Sequence, residues 1–224
     1  MDSERFAREI LATTKANLDG MRAVVDQTPP LTEDEITATF QSHEWREYYL
    51  GVLCPAKMIT LFPPEDDDLK ILMTQQLVEE YHHYQVFANL VADRGAESDL
   101  TRFKAGPAHS GMLEKTLSWD HPVYIAAAGN LTGEFILTVC MEKLVTLVDE
   151  ESARVIDKEV MAHEGNHVHN GRMIIERYAT TPEIQETIVK IVRDKTDHFI
   201  ASYSKPYMEF IGPDFADRKA MAAT

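Results

Sequence analysis

Two short stretches place a carboxylate and an imidazole at helical spacing: Glu79-Glu80-Tyr81-His82-His83 and Glu164-Gly165-Asn166-His167. Side chains three positions apart share a helix face, so a Glu and a His in the pattern E-x-x-H can reach one ion, or two adjacent ions, together. The first stretch holds the pattern twice, as Glu79 with His82 and as Glu80 with His83. At about 100° per residue, Leu69, Met73, Gln76, Glu80, His83, Tyr84, Phe87 and Val91 fall in one stripe, and His82 points nearly opposite. Glu80 and His83 are therefore the inward pair.

On the same reckoning Glu164 and His167 share their face with Ala153, Asp157, Val160, Val168, Gly171 and Ile175. A further acid, Glu134, stands alone in a stripe of Val123, Ala127, Leu131, Leu137, Met141, Val145 and Val148, where an unpaired carboxylate would be costly to bury. Ile36, Phe40, His43, Glu47, Leu50 and Cys54 line one face of an earlier segment, with Glu44 about 60° further round. Glu47 is the better placed of the two acids. One E-x-x-H arises on protein surfaces by chance, but two on the apolar faces of separate helices, joined by acids from two more, form a ligand set. The metal ligands expected are Glu47, Glu80, His83, Glu134, Glu164 and His167. Glu44, His43, Glu79, Asp157 and His163 are the supporting or alternative groups.

Carboxylates with imidazoles and no thiolate suit iron or manganese, not an iron–sulfur centre. Glu, Glu-x-x-His, Glu and Glu-x-x-His from four helices is the set by which helical bundles hold two such ions. Two Fe ions are expected, with Mn as the alternative.

The elements that must position these groups read as helices throughout, with no period-two run long enough for a sheet. The fold class expected is all-α. A first helix runs from near Ser3 to about Val25, and Thr32 with Glu35 forms a capping-box pattern opening a second helix that fades around Gly51 to Pro55. A third starts in the acidic run Glu65 to Asp68 and reaches about Val91. Residues Asp93 to Asp120 make a long crossover containing short helical pieces. A fourth helix follows Asp120-His121-Pro122 to about Val148, a fifth spans Ser152 to Tyr178, and a sixth opens at Thr181-Pro182-Glu183. Short connections flanking one long crossover give a ferritin-like four-helix core with added N- and C-terminal helices, expected as a single domain over 1–224 with its metal-binding core at about 33–178.

A net charge of −15 argues against nucleic-acid or anionic-membrane partners. Cys54 and Cys140 form no metal-binding spacing and suggest buried thiols in a reducing compartment. With no signal-peptide pattern and no stretch read as an uninterrupted membrane span, a cytoplasmic location is expected.

From Glu33 to Tyr178 the chain resembles the ferritin-like di-iron carboxylate superfamily, nearest in look to the aldehyde-deformylating oxygenases and the catalytic subunit of phenylacetyl-CoA oxygenase. The ligand separations of 33, 54 and 30 positions between Glu47, Glu80, Glu134 and Glu164 match that order and scale. The run Glu47-Tyr48-Tyr49-Leu50-Gly51 is similar to the first ligand helix of the phenylacetyl-CoA enzymes. Paired histidines set the sequence apart from ferroxidase centres, which usually carry one E-x-x-H. Many relatives place Asp directly before the ligand Glu of the last core helix, where this chain has His163, and Glu79 matches the common acidic neighbour in the earlier helix.

The resemblance implies an O2-activating oxygenase or oxidase acting on a small-molecule substrate, with O2 as co-substrate and an electron donor as partner; a homodimer is expected because the N-terminal and sixth helices need a surface to cover. Non-enzymatic metal storage and di-manganese peroxide disproportionation are the competing readings. Thr138, one turn after Glu134, matches a threonine that some di-iron hydroxylases use in handling oxygen or protons, although a helical Thr more commonly bonds its own i−4 carbonyl. Thr138, Ala127 and Gly171 are expected to border the substrate.

Overall fold

The structure, a computed structural model, describes residues 1–98, 100 and 107–203. It is all-α, with no strand among the described residues. Helix α1 (Ser3–Ala16) and α2 (Leu18–Val25) divide at Asn17 what the periodicity joins. The Asp2 side chain, not Ser3, caps α1 by accepting from the Arg5 N–H. Helix α3 covers 33–61, α4 is Asp67–Asp93, α5 is Pro107–Ser118, α6 is Pro122–Leu144, α7 covers 150–178 and α8 is Pro182–Tyr203. The crossover between α4 and α6 contains α5; its residues 99 and 101–106 lie outside the described residues.

Local signals set the starts. Thr32 and Glu35 make the full reciprocal capping box of α3, Pro122 occupies the first turn of α6, and Asp149 accepts from the Ser152 N–H to cap α7. Such side-chain caps contribute about 1 kcal/mol each by satisfying donors that have no partner inside the helix.

Three of the core helices are not pure α-helix: π-helical turns occupy Glu47–Val52 in α3, Ala127–Gly133 in α6 and Asp157–Met161 in α7. Each wide turn holds an extra residue, so positions beyond it are rotated by roughly 100° from a continuous α wheel. This explains two departures from the expected pattern. Helix α3 does not fade near Gly51 but passes through Pro55 to Leu61, because the ladder is already displaced where the ring, which has no N–H, enters. In α7 the buried positions ahead of the π turn are Ser152 and Ile156, whereas Asp157 is exposed and is not a ligand or a support.

Helices α3, α4, α7 and α6 form a closed ring of neighbours, with α3 also touching α6. Arg94, at the end of α4, bonds Asp149 at the start of α7 (2.6 Å), and Arg177 near the end of α7 bonds Asp68 at the start of α4 (2.8 Å), so these two helices run antiparallel. Asp66 also takes hydrogen bonds from Arg177 and Tyr178. Outside the ring, α1 packs on α7, α2 on α6 and α8 on α6.

The bundle is layered. One apolar cluster joins Cys54, Met58, Leu69, Met73, Val123, Leu131, Ile174 and Ile175; a second joins Phe40, Phe87, Val91, Leu137, Met141, Ile156 and Val160. Between them lies a buried polar layer. Helix α6 meets the length and composition of a membrane span, contrary to the expectation that no stretch would, but 72% of its most apolar window is buried within the bundle, as a core helix requires. Cys54 and Cys140 are free and buried, and burial pushes the Cys54 thiol up to about 12.

Candidate metal centre

The polar layer consists of the six expected ligands. Glu47 comes from α3, Glu80 and His83 from α4, Glu134 from α6, and Glu164 and His167 from α7, each 9% exposed or less. The His83 Nδ1 lies 3.4 Å from Glu80 Oε2, 3.6 Å from Glu164 Oε1 and 4.0 Å from Glu47 Oε2. The His167 Nδ1 lies 3.1 Å from Glu80 Oε1, 3.5 Å from Glu164 Oε2 and 3.7 Å from Glu134 Oε1. Glu80 and Glu164 thus turn one oxygen towards each imidazole, while Glu47 and Glu134 each serve one side. The result is two half-sites that share two carboxylates.

The donor set fits metal ions. Bonds of about 2.1 Å to one ion place neighbouring donors roughly 3.0–3.4 Å apart, close to the spacing found here. Glu47 Oε1, both Glu164 oxygens, His83 Nδ1 and His167 Nδ1 are buried with no hydrogen-bond partner, a costly state that a cation would relieve. A Cβ on Gly51 would meet Glu80 Oε2 at 2.7 Å, so the missing side chain there gives the Glu80 carboxylate its room. The buried groups Glu47, Glu80 and His83, and Glu80, Glu134 and His167, are positioned to bind metal.

Electrostatics agree. Burial, then the charges of Glu80 and Glu164, hold the Glu47 carboxyl well above its usual range; burial with Glu164 and Glu80 does the same to Glu134. Burial also opposes charge on Glu80 and His167, but their mutual attraction wins, drawing Glu80 well below its usual range and His167 far above. Without cations the cluster therefore retains protons, which bound metal would displace.

The outer ring nitrogens are engaged too. With Nδ1 turned inward, the His167 Nε2–H donates to Glu79 Oε2 at 2.9 Å, the partner expected for a ligand imidazole. His83 Nε2 lies 3.0 Å from His163 Nδ1, a hydrogen bond in which His83 is the donor when its Nδ1 is turned to a metal ion. His82, as the wheel requires, faces outward to Glu159. Glu44 accepts from Ser98, and His43 stacks on Phe87, with ring centroids 5.1 Å apart; neither joins the ligand cluster.

A buried amide network, not anticipated from the sequence, holds the Glu80 carboxylate. Gln76 donates to Glu80 Oε1 at 3.1 Å, Asn130 and Asn170 donate to Gln76 Oε1 at 2.6 and 3.3 Å, and Asn130 also reaches the His167 carbonyl. The available signal was polar residues on ligand-bearing faces: Gln76 four before Glu80, Asn130 four before Glu134 and Asn170 three after His167. The Thr138 hydroxyl donates to the Glu134 carbonyl, the common local arrangement. A Cβ at Gly171 would meet Asn130 Cβ at 2.6 Å, so this glycine marks close contact of α6 and α7 and not the room for substrate expected there.

The chain matches no protein-family model and no curated protein sequence.

Proposed function

We propose that the protein is a di-iron, O2-activating oxidoreductase acting on a small organic substrate. The observation that carries this reading is the sharing of Glu80 and Glu164 between the two imidazoles, with one oxygen facing each. Glu47, His83, Glu80 and Glu164 would hold one iron, and Glu134, His167, Glu80 and Glu164 the other. When bound, two adjacent ferrous ions would supply electrons for the reduction of O2.

The residues of the chain provide the setting. Glu79 fixes the tautomer and orientation of His167, and His163 does so for His83. Gln76, held by Asn130 and Asn170, restrains one oxygen of Glu80 and leaves the other free to adjust. Apolar layers on both sides exclude bulk water, which strengthens electrostatic interactions within the centre. Of the residues expected to border the substrate, Ala127 is buried in the π turn beside Glu134 and Thr138 is half-buried one turn beyond it. An electron donor completes the cycle.

The test is anaerobic loading with ferrous iron followed by O2. Binding of two irons per chain and O2 consumption that stops after limited turnover without added reductant support the oxidoreductase. Deposition of many ferric ions per chain with no small-molecule product replaces it with storage, and peroxide disproportionation by the manganese form alone replaces it with that activity.

A further inference from the structure

The two half-sites receive nearly the same inward donors but different support from behind. His167 donates its outer N–H to a carboxylate, Glu79, whereas His83 donates to another imidazole, His163. With His83 Nδ1 turned to an ion its Nε2–H would donate, so the acceptor behind His83 is an imidazole nitrogen where the acceptor behind His167 is a carboxylate oxygen. A carboxylate acceptor raises the basicity of a ligand imidazole, and loss of such a partner typically weakens metal binding 10–100-fold. A neutral acceptor does less, since a hydrogen bond to an ionised group is about twice as strong.

The other contacts do not reverse this order. Arg46 acts on Glu47 and Lys195 on Glu134, one cation for each half. Gln76 withdraws some donor strength from Glu80 Oε1, on the His167 side, but through a neutral amide. Glu79 is about one-third exposed, so solvent moderates its influence without removing a 2.9 Å hydrogen bond. On the two-ion reading above, we infer that the centre is built to fill in order: the half formed by Glu134 and His167 takes the first ion, and the half formed by Glu47 and His83 takes the second. His163 and Glu79 are positioning residues that set this order.

Repulsion between cations separates two binding steps in any such centre, so the deciding observation is which half fills first. Metal-stripped protein is titrated with cobalt(II) by calorimetry, and crystals holding one equivalent are examined by anomalous scattering. The expected peak lies beside His167 and Glu134. Glu79→Gln should weaken the tighter step 10–100-fold and leave the other within about threefold, while His163→Asp should tighten the weaker step by a similar factor. A first ion beside His83, or Glu79→Gln acting on the weaker step alone, would overturn the ordering and leave the two-ion centre standing. Failure of the wild type to take a second ion at all would instead sink the two-ion reading. The anomalous measurement needs no variant, so a poorly folding substitution leaves the inference open to refutation.

Discussion

Glu80 is the residue on which both halves depend, and its position rests on a neighbour without a side chain. Because a Cβ at Gly51 would come within 2.7 Å of Glu80 Oε2, Gly51→Ala must push that flexible carboxylate aside. The backbone should tolerate the change, since Gly51 has no positive φ and Ala favours helix by about 1 kcal/mol. The expected outcome is a folded protein with unchanged helicity whose cobalt(II) affinity falls at least tenfold; unaltered affinity would show that Glu80 does not bridge. At this scale the six clustered acids and histidines were legible because such groups on apolar stripes have no cheap reason to be there. Gly51, Gln76, Asn130 and Asn170 were not, because an amide or a missing Cβ gains its meaning only from what another helix brings against it. His163 was visible as a departure from Asp, but the bond that explains it spans 80 positions of sequence.

A helical wheel is secure where the helix keeps its period and can fail where it does not. In α4, which has no π turn, Leu69, Met73, Gln76, Glu80, His83, Phe87 and Val91 are buried as the wheel requires, and Tyr84, on the edge of the stripe, is half-buried. In α7 the wheel fails ahead of Asp157–Met161, and the exposed Asp157 is the cost of reading through that turn. Contact between elements also separates two glycines that look alike in sequence. Gly171 meets the Asn130 Cβ and backbone, rigid neighbours, so Gly171→Ala should lower stability by about 1–3 kcal/mol in denaturant titration. A Cβ on Gly165 meets nothing within 4 Å, so Gly165→Ala should raise stability by about 1 kcal/mol; equal effects at the two sites would refute the contact assignment. The start of α7 carries its own pH dependence. The Ser152 backbone N–H, its hydroxyl and Arg94 lower the Asp149 carboxyl from 3.8 to about 2. A depressed folded value means that the stabilisation is present above the ordinary value and is lost as pH falls through the folded one. Asp149→Ala should therefore cost about 1 kcal/mol at pH 7, and the gap from wild type should close between about pH 4 and pH 2 in acid titrations followed by circular dichroism.

At the scale of the molecule, the acidic layer is the weak plane of the bundle until cations fill it. Its carboxylates come from α3, α4, α6 and α7, and without metal burial and neighbouring carboxylates hold Glu47 and Glu134 well above their usual range. Ions bound there would join four helices through contacts that the unfolded chain cannot make, so loading must stabilise the fold by mass action. At free metal about 100-fold above the dissociation constant, the gain is about 2.7 kcal/mol per ion, which for a chain of this size raises Tm by roughly 5–11 °C. Glu164→Gln removes one bridge and should abolish more than half of that rise, while leaving the metal-free protein folded and at least as stable, because it removes a charge from the buried cluster. The effect should also be localised. Amide exchange should slow on metal addition along α3, α4, α6 and α7 around the ligand layer, while α1, which packs outside the ring, should change little. A metal-induced rise of equal size in wild type and Glu164→Gln, or slowed exchange spread evenly over α1 and the ring helices, would place the bound ions on the acidic surface instead of between the two apolar layers.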